Sequence, residues 1–202
     1  MYERNTFERY LREDEERRLF AAIARCRADV YARRDLAMMQ LMRQTGIRVG
    51  SCAGLDCLDA REALRTERLA LRPALCKRGR GYTVHANKKA RAALRELLAC
   101  RREMGHSEAP DDALIMSRHG KRIAIRSIQD RMRKWCAAAG LPDDVSPHWL
   151  RHTLAKRMLQ RSTSNNPVAI VQRVLGQSSI SSAAIYTMPD REEIEQAVEA
   201  AA

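Results

Sequence analysis

Aromatic residues are scarce in this chain: two Phe, two Trp and five Tyr, 4% of 202 positions. A core for this length must therefore come from Leu, Ile, Val, Ala and Met, within a hydrophobic content of 45%. Six cysteines (26, 52, 57, 76, 100 and 136) include no Cys-x-x-Cys pair, so neither a zinc site nor a disulfide framework is indicated. Most of them sit among apolar neighbours, where cysteine acts as a small hydrophobe, and this suits a reducing cytosol. No apolar run is long enough to span a membrane, and the start Met1-Tyr2-Glu3-Arg4-Asn5 lacks the apolar stretch of a secretory signal. Internal repeats and low-complexity blocks are also lacking. The expectation is a soluble cytoplasmic protein of one domain over residues 1–202.

Positive charge is what the chain has in excess. Lys and Arg number 37 against 25 Asp and Glu, a formal charge of +12. A folded chain with that balance favours a polyanionic partner, most simply nucleic acid. Many merely soluble basic proteins share it, so charge alone leaves the question even.

Hydrophobic spacing predicts a mainly helical domain with one small antiparallel sheet, an α+β class. Leu11, Leu19, Ala22, Ile23 and Cys26 fall at helical steps. A second helix is predicted over Arg34–Thr45, stopped by Gly46, and a third over Val49–Leu58 with Arg48 at its base. Between 68 and 86 the period changes: Leu69 and Leu71 alternate with Ala70 and Arg72, and Tyr82-Thr83-Val84 favours a strand. Lys77-Arg78-Gly79-Arg80-Gly81 supplies a basic turn between them, and Pro73 places the hairpin at an edge. Helices are predicted again from Lys88, then over about 126–139, 148–161, 165–174 and 178–187, with a last one from about 190.

Chemistry concentrates between Ser146 and Tyr186. There the chain reads His148-Trp149-Leu150-Arg151-His152-Thr153, then Leu175-Gly176-Gln177-Ser178-Ser179, then Tyr186-Thr187, with Thr45-Gly46-Ile47-Arg48 well upstream. Singly, each residue has an ordinary structural explanation: buried arginines and core tyrosines are common. Together they supply what attack on a phosphodiester requires: a nucleophile, cations for the non-bridging oxygens and a proton donor for the leaving oxygen.

In these motifs the chain resembles the catalytic domain of the tyrosine site-specific recombinases of the lambda or phage integrase type. The likeness runs from Tyr10-Leu11 to the C-terminal helix. It implies that Arg48 and Arg151 clamp the scissile phosphate, as planar, permanently charged guanidinium groups can. It implies that Lys77 protonates the leaving 5′-oxygen, that His148 is the general acid/base, and that Tyr186 is the nucleophile. Cleavage by such a domain leaves a 3′-phosphotyrosyl link and a 5′-hydroxyl, and needs no metal, cofactor or ATP.

Three departures stand out against the family pattern. Gln177 occupies a position usually held by His, sometimes Trp; its amide can donate a hydrogen bond but carries no charge. Ser51 stands where an acidic residue usually follows the Arg48 motif. The separate N-terminal core-DNA-binding domain is expected to be absent. Weakened chemistry is therefore one implication, and a recombinase-fold DNA-binding regulator or accessory protein is the rival reading. A type IB topoisomerase is a third.

The resemblance further implies double-stranded DNA as partner, a homo-oligomer (a tetramer) on that DNA, accessory proteins for some members, and no membrane. Lys88, Lys89, Arg118, Lys121, Arg122 and Arg126 are candidate phosphate contacts, with ordinary solvated faces as the equal alternative. His152 reads as a packing or hydrogen-bonding neighbour of the site. The helix within 190–202, with Ile194, Ala197, Val198 and Ala201 at helical steps, is either exchanged between subunits or packed in cis.

Overall fold

The fold is taken from a computed structural model, which describes residues 9–76, 79–177, 184–189 and 191–201. Its helices are α1 (Glu13–Ala24), α2 (Val30–Thr45), α3 (Val49–Ala53), α4 (Cys57–Thr66), α5 (Lys88–Glu103), α6 (Ile125–Ala138), α7 (Pro147–Arg161), α8 (Pro167–Val174) and α9 (Arg191–Glu199). Two strands, β1 (Arg68–Leu71) and β2 (Tyr82–His85), pair antiparallel with Leu71 opposite Tyr82. The predicted class holds: mainly α with one small sheet.

Helix α2 organises the core. The Asp29 side chain caps its start by accepting from the Tyr31 amide, and Gly46, at φ 66°, ends it in the left-handed conformation. Met38, Met39, Leu41 and Met42 are buried along it, against Leu94, Leu97 and Leu98 of α5 and Leu19 and Ile23 of α1. Trp135 and Met132 of α6 and Trp149 and Leu150 of α7 complete this main core. A second, smaller cluster joins Ala155 of α7, Val171 and Leu175 at α8, and Tyr186. Helix α7 is thus shared by both clusters, and Arg151 lies on it where they meet.

Several predicted boundaries move. Leu11 is buried but precedes α1, while Cys26 lies exposed beyond its end. Leu11 is held instead by its own amide, which donates to the Thr153 hydroxyl at 2.8 Å. The predicted helix over Val49–Leu58 is broken at Gly54-Leu55-Asp56. Leu55 turns fully inward, Asp56 bridges to Ala113, and Asp56 then starts α4 through a capping box with Asp59. Pro73 lies in a 3-10 turn, Pro73–Leu75, just after β1. Of the predicted helix over 178–187, residues 178–183 lie outside the described residues, and Ile185–Thr187 forms a 3-10 turn.

The start of α2 hides an ion pair that the sequence did not signal. Arg34 and Asp35 are 2% and 0% exposed; Arg34 donates to Asp35 at 2.6 Å and to the Met116 carbonyl at 2.7 Å. Asp35 also accepts from the Trp135 indole at 2.9 Å. Removing one partner of such a pair strands the other charge away from water. Asp35→Ala should therefore cost about 3–5 kcal/mol, measured as a lower urea midpoint at unchanged m-value.

Candidate active site

Arg151 holds the site together. Its guanidinium, 2% exposed, donates to the Gly46 carbonyl at 2.5 Å and to the Leu175 carbonyl at 2.7 Å. The first contact fixes the turn that leads into Arg48; the second fixes the turn that leads into Gln177. A guanidinium has five N–H donors, so Arg151 keeps donors for a ligand after both contacts.

Gly46 is required here twice over. Its φ of 66° disfavours other residues, and a Cβ there would lie 2.6 Å from Leu175 Cδ2. The buried Ile47 follows, and Arg48 then starts α3 in extended conformation, half-buried. Its charge acts on both Arg151 and His148. Three residues on, the Ser51 hydroxyl donates to the Leu75 carbonyl at 2.6 Å, tying α3 to the turn after β1. Gly54 lies close behind this tie, where a Cβ would meet Leu75 Cδ2 at 2.4 Å unless that leucine side chain moved aside.

On α7, Pro147 opens the helix and His148 follows on its exposed side. His148 lies 4.6 Å, ring to ring, from His152, which in turn meets the Tyr186 ring edge-on at 5.0 Å and 89°. Tyr186 is 5% exposed and packs with Ala155, Val171 and Leu175 of the same chain. Partial withdrawal from water, then Arg151 and Arg48, push the His148 pKa down. Burial first, then His148 and Arg151, push His152 down to about 3. Both imidazoles are therefore neutral at pH 7. Burial and the charge of Arg48 likewise lower the Arg151 pKa, opposed by the nearby Tyr82 and Tyr186; the guanidinium stays protonated.

Arg48, His148, Arg151, Gln177 and Tyr186 thus surround one region. Lys77, at the hairpin turn, lies outside the described residues. Gln177 is half-buried, and its backbone N–H donates to the Gln172 backbone carbonyl at 3.0 Å. Among the described residues no group of His, Cys, Asp and Glu is arranged to hold a metal ion, and no helix is long and apolar enough to cross a membrane.

The candidate phosphate contacts fall into different environments. Lys88 and Lys89 are exposed at the first positions of α5, where the helix dipole disfavours cations and an external anion would offset it. Lys121 is exposed, Arg118 lies 5.1 Å over the Tyr31 ring, and Arg126 is within 3.4 Å of Asp130. Arg122 is engaged within the fold, donating to the Ala53 and Leu55 carbonyls at 3.2 and 3.0 Å and to Asp56 at 2.6 Å. Together with Arg72, 2.5 Å from the same carboxylate, it braces the corner between α3 and α4.

The sequence profile of the phage integrase family matches residues 9–193. Tyrosine recombinase XerC 1 of Ralstonia nicotianae is 37% identical over 180 residues, covering 80% of this chain and 51% of that protein. XerC of Actinobacillus pleuropneumoniae serotype 7 is 36% identical over 168 residues, covering 83% and 51%. The chain therefore spans about half the length of the curated relatives it matches. Among solved structures, XerA recombinase superposes with a TM-score of 0.73 at 24% identity, covering 93% of this chain and 62% of that one. XerH bound to its difH substrate before cleavage gives 0.69 at 19% identity, covering 96% and 55%. At these identities the structures establish the fold.

The neutral state of His152 has a consequence for stability. Its folded pKa is about 3 against an ordinary 6.5, so between these values the unfolded chain binds more protons and stability rises with pH. The contribution is complete above about pH 6.5 and is lost as pH falls toward 3. Thermal or urea unfolding should show about 2 kcal/mol less stability from this group at pH 5 than at pH 7. In His152→Phe, which keeps an aromatic ring against Tyr186, the acid-side slope should be correspondingly shallower.

Proposed function

The chain belongs to the phage integrase family, and from that premise we propose that it is a site-specific recombinase that cuts and rejoins duplex DNA through Tyr186. The observation that carries this reading is the convergence of Tyr186, two neutral histidines and the Arg48–Arg151 pair around the Arg151 strut. The net charge of +12 supports a polyanionic substrate.

In the proposed reaction the scissile phosphate sits between Arg48 and Arg151, which neutralise charge on its non-bridging oxygens. The Tyr186 oxygen attacks phosphorus, a P–O bond to tyrosine forms, and the bond to the 5′-oxygen breaks. His148, held neutral by its surroundings, accepts the phenolic proton. Lys77 donates the proton that the departing 5′-oxygen needs. Attack by that 5′-hydroxyl, or by one from another strand, reverses the steps and restores a phosphodiester. Gln177 offers a neutral hydrogen-bond donor to the same phosphate.

Lys88, Lys89, Arg118, Lys121 and Arg126 would position the duplex through its phosphates, with Arg122 contributing mainly through the corner it braces. Assembly on DNA as a homo-oligomer, a tetramer in the complete reaction, has support from α9. Its Glu193 reaches Lys156 of the same chain at 2.6 Å, while Ile194 and Val198 are 51% and 65% exposed and present an apolar face that a neighbouring subunit could cover. The proposed place of action is the cytoplasm, on DNA.

A nicked suicide substrate traps the covalent intermediate and tests the reading directly. Wild type should form a protein–DNA adduct on its site, and Tyr186→Phe should form none while still binding that DNA. Absence of an adduct from wild type on a verified site would remove the proposed reaction. A second prediction concerns the amide: Gln177→His should raise the adduct rate by about 10-fold, with DNA affinity nearly unchanged. An unchanged rate would show that the amide serves the phosphate as well as imidazole does.

A further inference from the structure

A second tyrosine adjoins the candidate site. Tyr82 is the first residue of β2, on the strand that follows the basic turn. Its ring lies flat against Gly176: a Cβ on that glycine would stand 2.7–2.8 Å from Tyr82 Cγ, Cδ1 and Cδ2. The glycine between Leu175 and Gln177 is thus required for φ 58° and also for this ring contact.

The ring's seat places the phenol beside the Arg151 guanidinium, whose protonated form it favours. The Tyr82 oxygen is buried; the Arg151 guanidinium can donate toward it, and no described group is in position to accept from its hydroxyl. Arg151 cannot accept a hydrogen bond, because a guanidinium is donor-only. It is also fixed in place by the Gly46 and Leu175 carbonyls. A buried hydroxyl proton is therefore left next to the group proposed to grip the phosphate, without an acceptor among the described residues.

We propose that Tyr82 is a further phosphate ligand, its hydroxyl donating to a non-bridging oxygen of the phosphodiester held by Arg151. The assignment rests on the recombinase reading for its substrate. It gives the hairpin a chemical role beyond its basic turn: β2 delivers a neutral donor beside Gly176. With Gln177 it would surround the phosphate with two neutral donors and two cations.

Tyr82→Phe tests this, since it keeps the ring on Gly176 and removes only the hydroxyl. On the suicide substrate the variant should form adduct about 10- to 100-fold more slowly, with DNA affinity within about 2-fold of wild type. Replacing the contacted non-bridging oxygen by a methyl group, in one methylphosphonate diastereomer, should close the gap between the two proteins to about 1-fold. A rate equal to wild type would overturn the assignment. So would a slowing that persists unchanged on both diastereomers, because that marks a purely structural effect. Orthovanadate binding, followed by calorimetry, separates this idea from the recombinase reading. Weaker binding by Tyr82→Phe supports the ligand role even if wild type forms no adduct, and equal binding refutes it whether or not an adduct forms.

Discussion

One buried cation sets the geometry on which the site depends. Arg151 sits on α7 where the two apolar clusters meet, and its two backbone contacts tie together turns that are 129 residues apart in sequence, 46 to 175. Hydrogen bonds from a charged donor are worth roughly 1.5–3 kcal/mol each, enough to hold both turns at fixed distance. Among the described residues no carboxylate pairs with this charge: the acceptors are carbonyl dipoles, and Arg48 adds a second cation nearby. Such an arrangement is costly for folding alone. A bound phosphodiester, carrying one negative charge with oxygens spaced for guanidinium donors, would relieve that cost.

Two glycines make the arrangement sterically feasible. Gly46 and Gly176 both have positive φ and both lie where a methyl group would collide, one with Leu175 and the other with the Tyr82 ring. Each stands in a turn whose neighbouring carbonyl, its own or that of Leu175, receives Arg151. Backbone freedom and side-chain clearance are therefore needed at the same points, which explains why Thr45-Gly46-Ile47-Arg48 and Leu175-Gly176-Gln177 are compact units. Ser51 fits the same logic. The hydroxyl at this position cannot neutralise Arg48 as a carboxylate would, but it anchors α3 to the hairpin through Leu75.

Much of this was legible in the sequence, for identifiable reasons. Helical periodicity is clear in α5 and α6 because each buries one mainly apolar face, while α2 and α7 are buried on more than one side and also carry polar residues inward; the hairpin was marked by a change of period with glycines in its turn. Residues with distinctive chemistry in a fixed order pointed to the candidate site. What stayed hidden depends on distant partners. Leu55 breaks a helix that local pattern would continue, because its burial and the Asp56–Ala113 bridge outweigh propensity. Arg122 looked like one more surface cation, yet its acceptors lie at 53, 55 and 56. Tyr82 read only as a strand former, since nothing in its neighbourhood reveals that Gly176 receives its ring.

The electrostatics of the site place its proton chemistry under the control of whatever fills it. His148 and His152 are both kept neutral, with the cationic neighbours reinforcing the loss of water contact. That field resists any further positive charge, so a proton passing to His148 would meet Arg151 and Arg48. A phosphate between the arginines cancels part of their field and makes protonation of His148 easier. Under the proposed roles, base strength and substrate occupancy would be coupled: the imidazole would become a better proton acceptor when the group to be attacked is in place. His152, further from solvent and pushed down to about 3, stays neutral through the same change. Its ring stands between those of His148 and Tyr186, so in the proposed reaction it would be an uncharged neighbour of both.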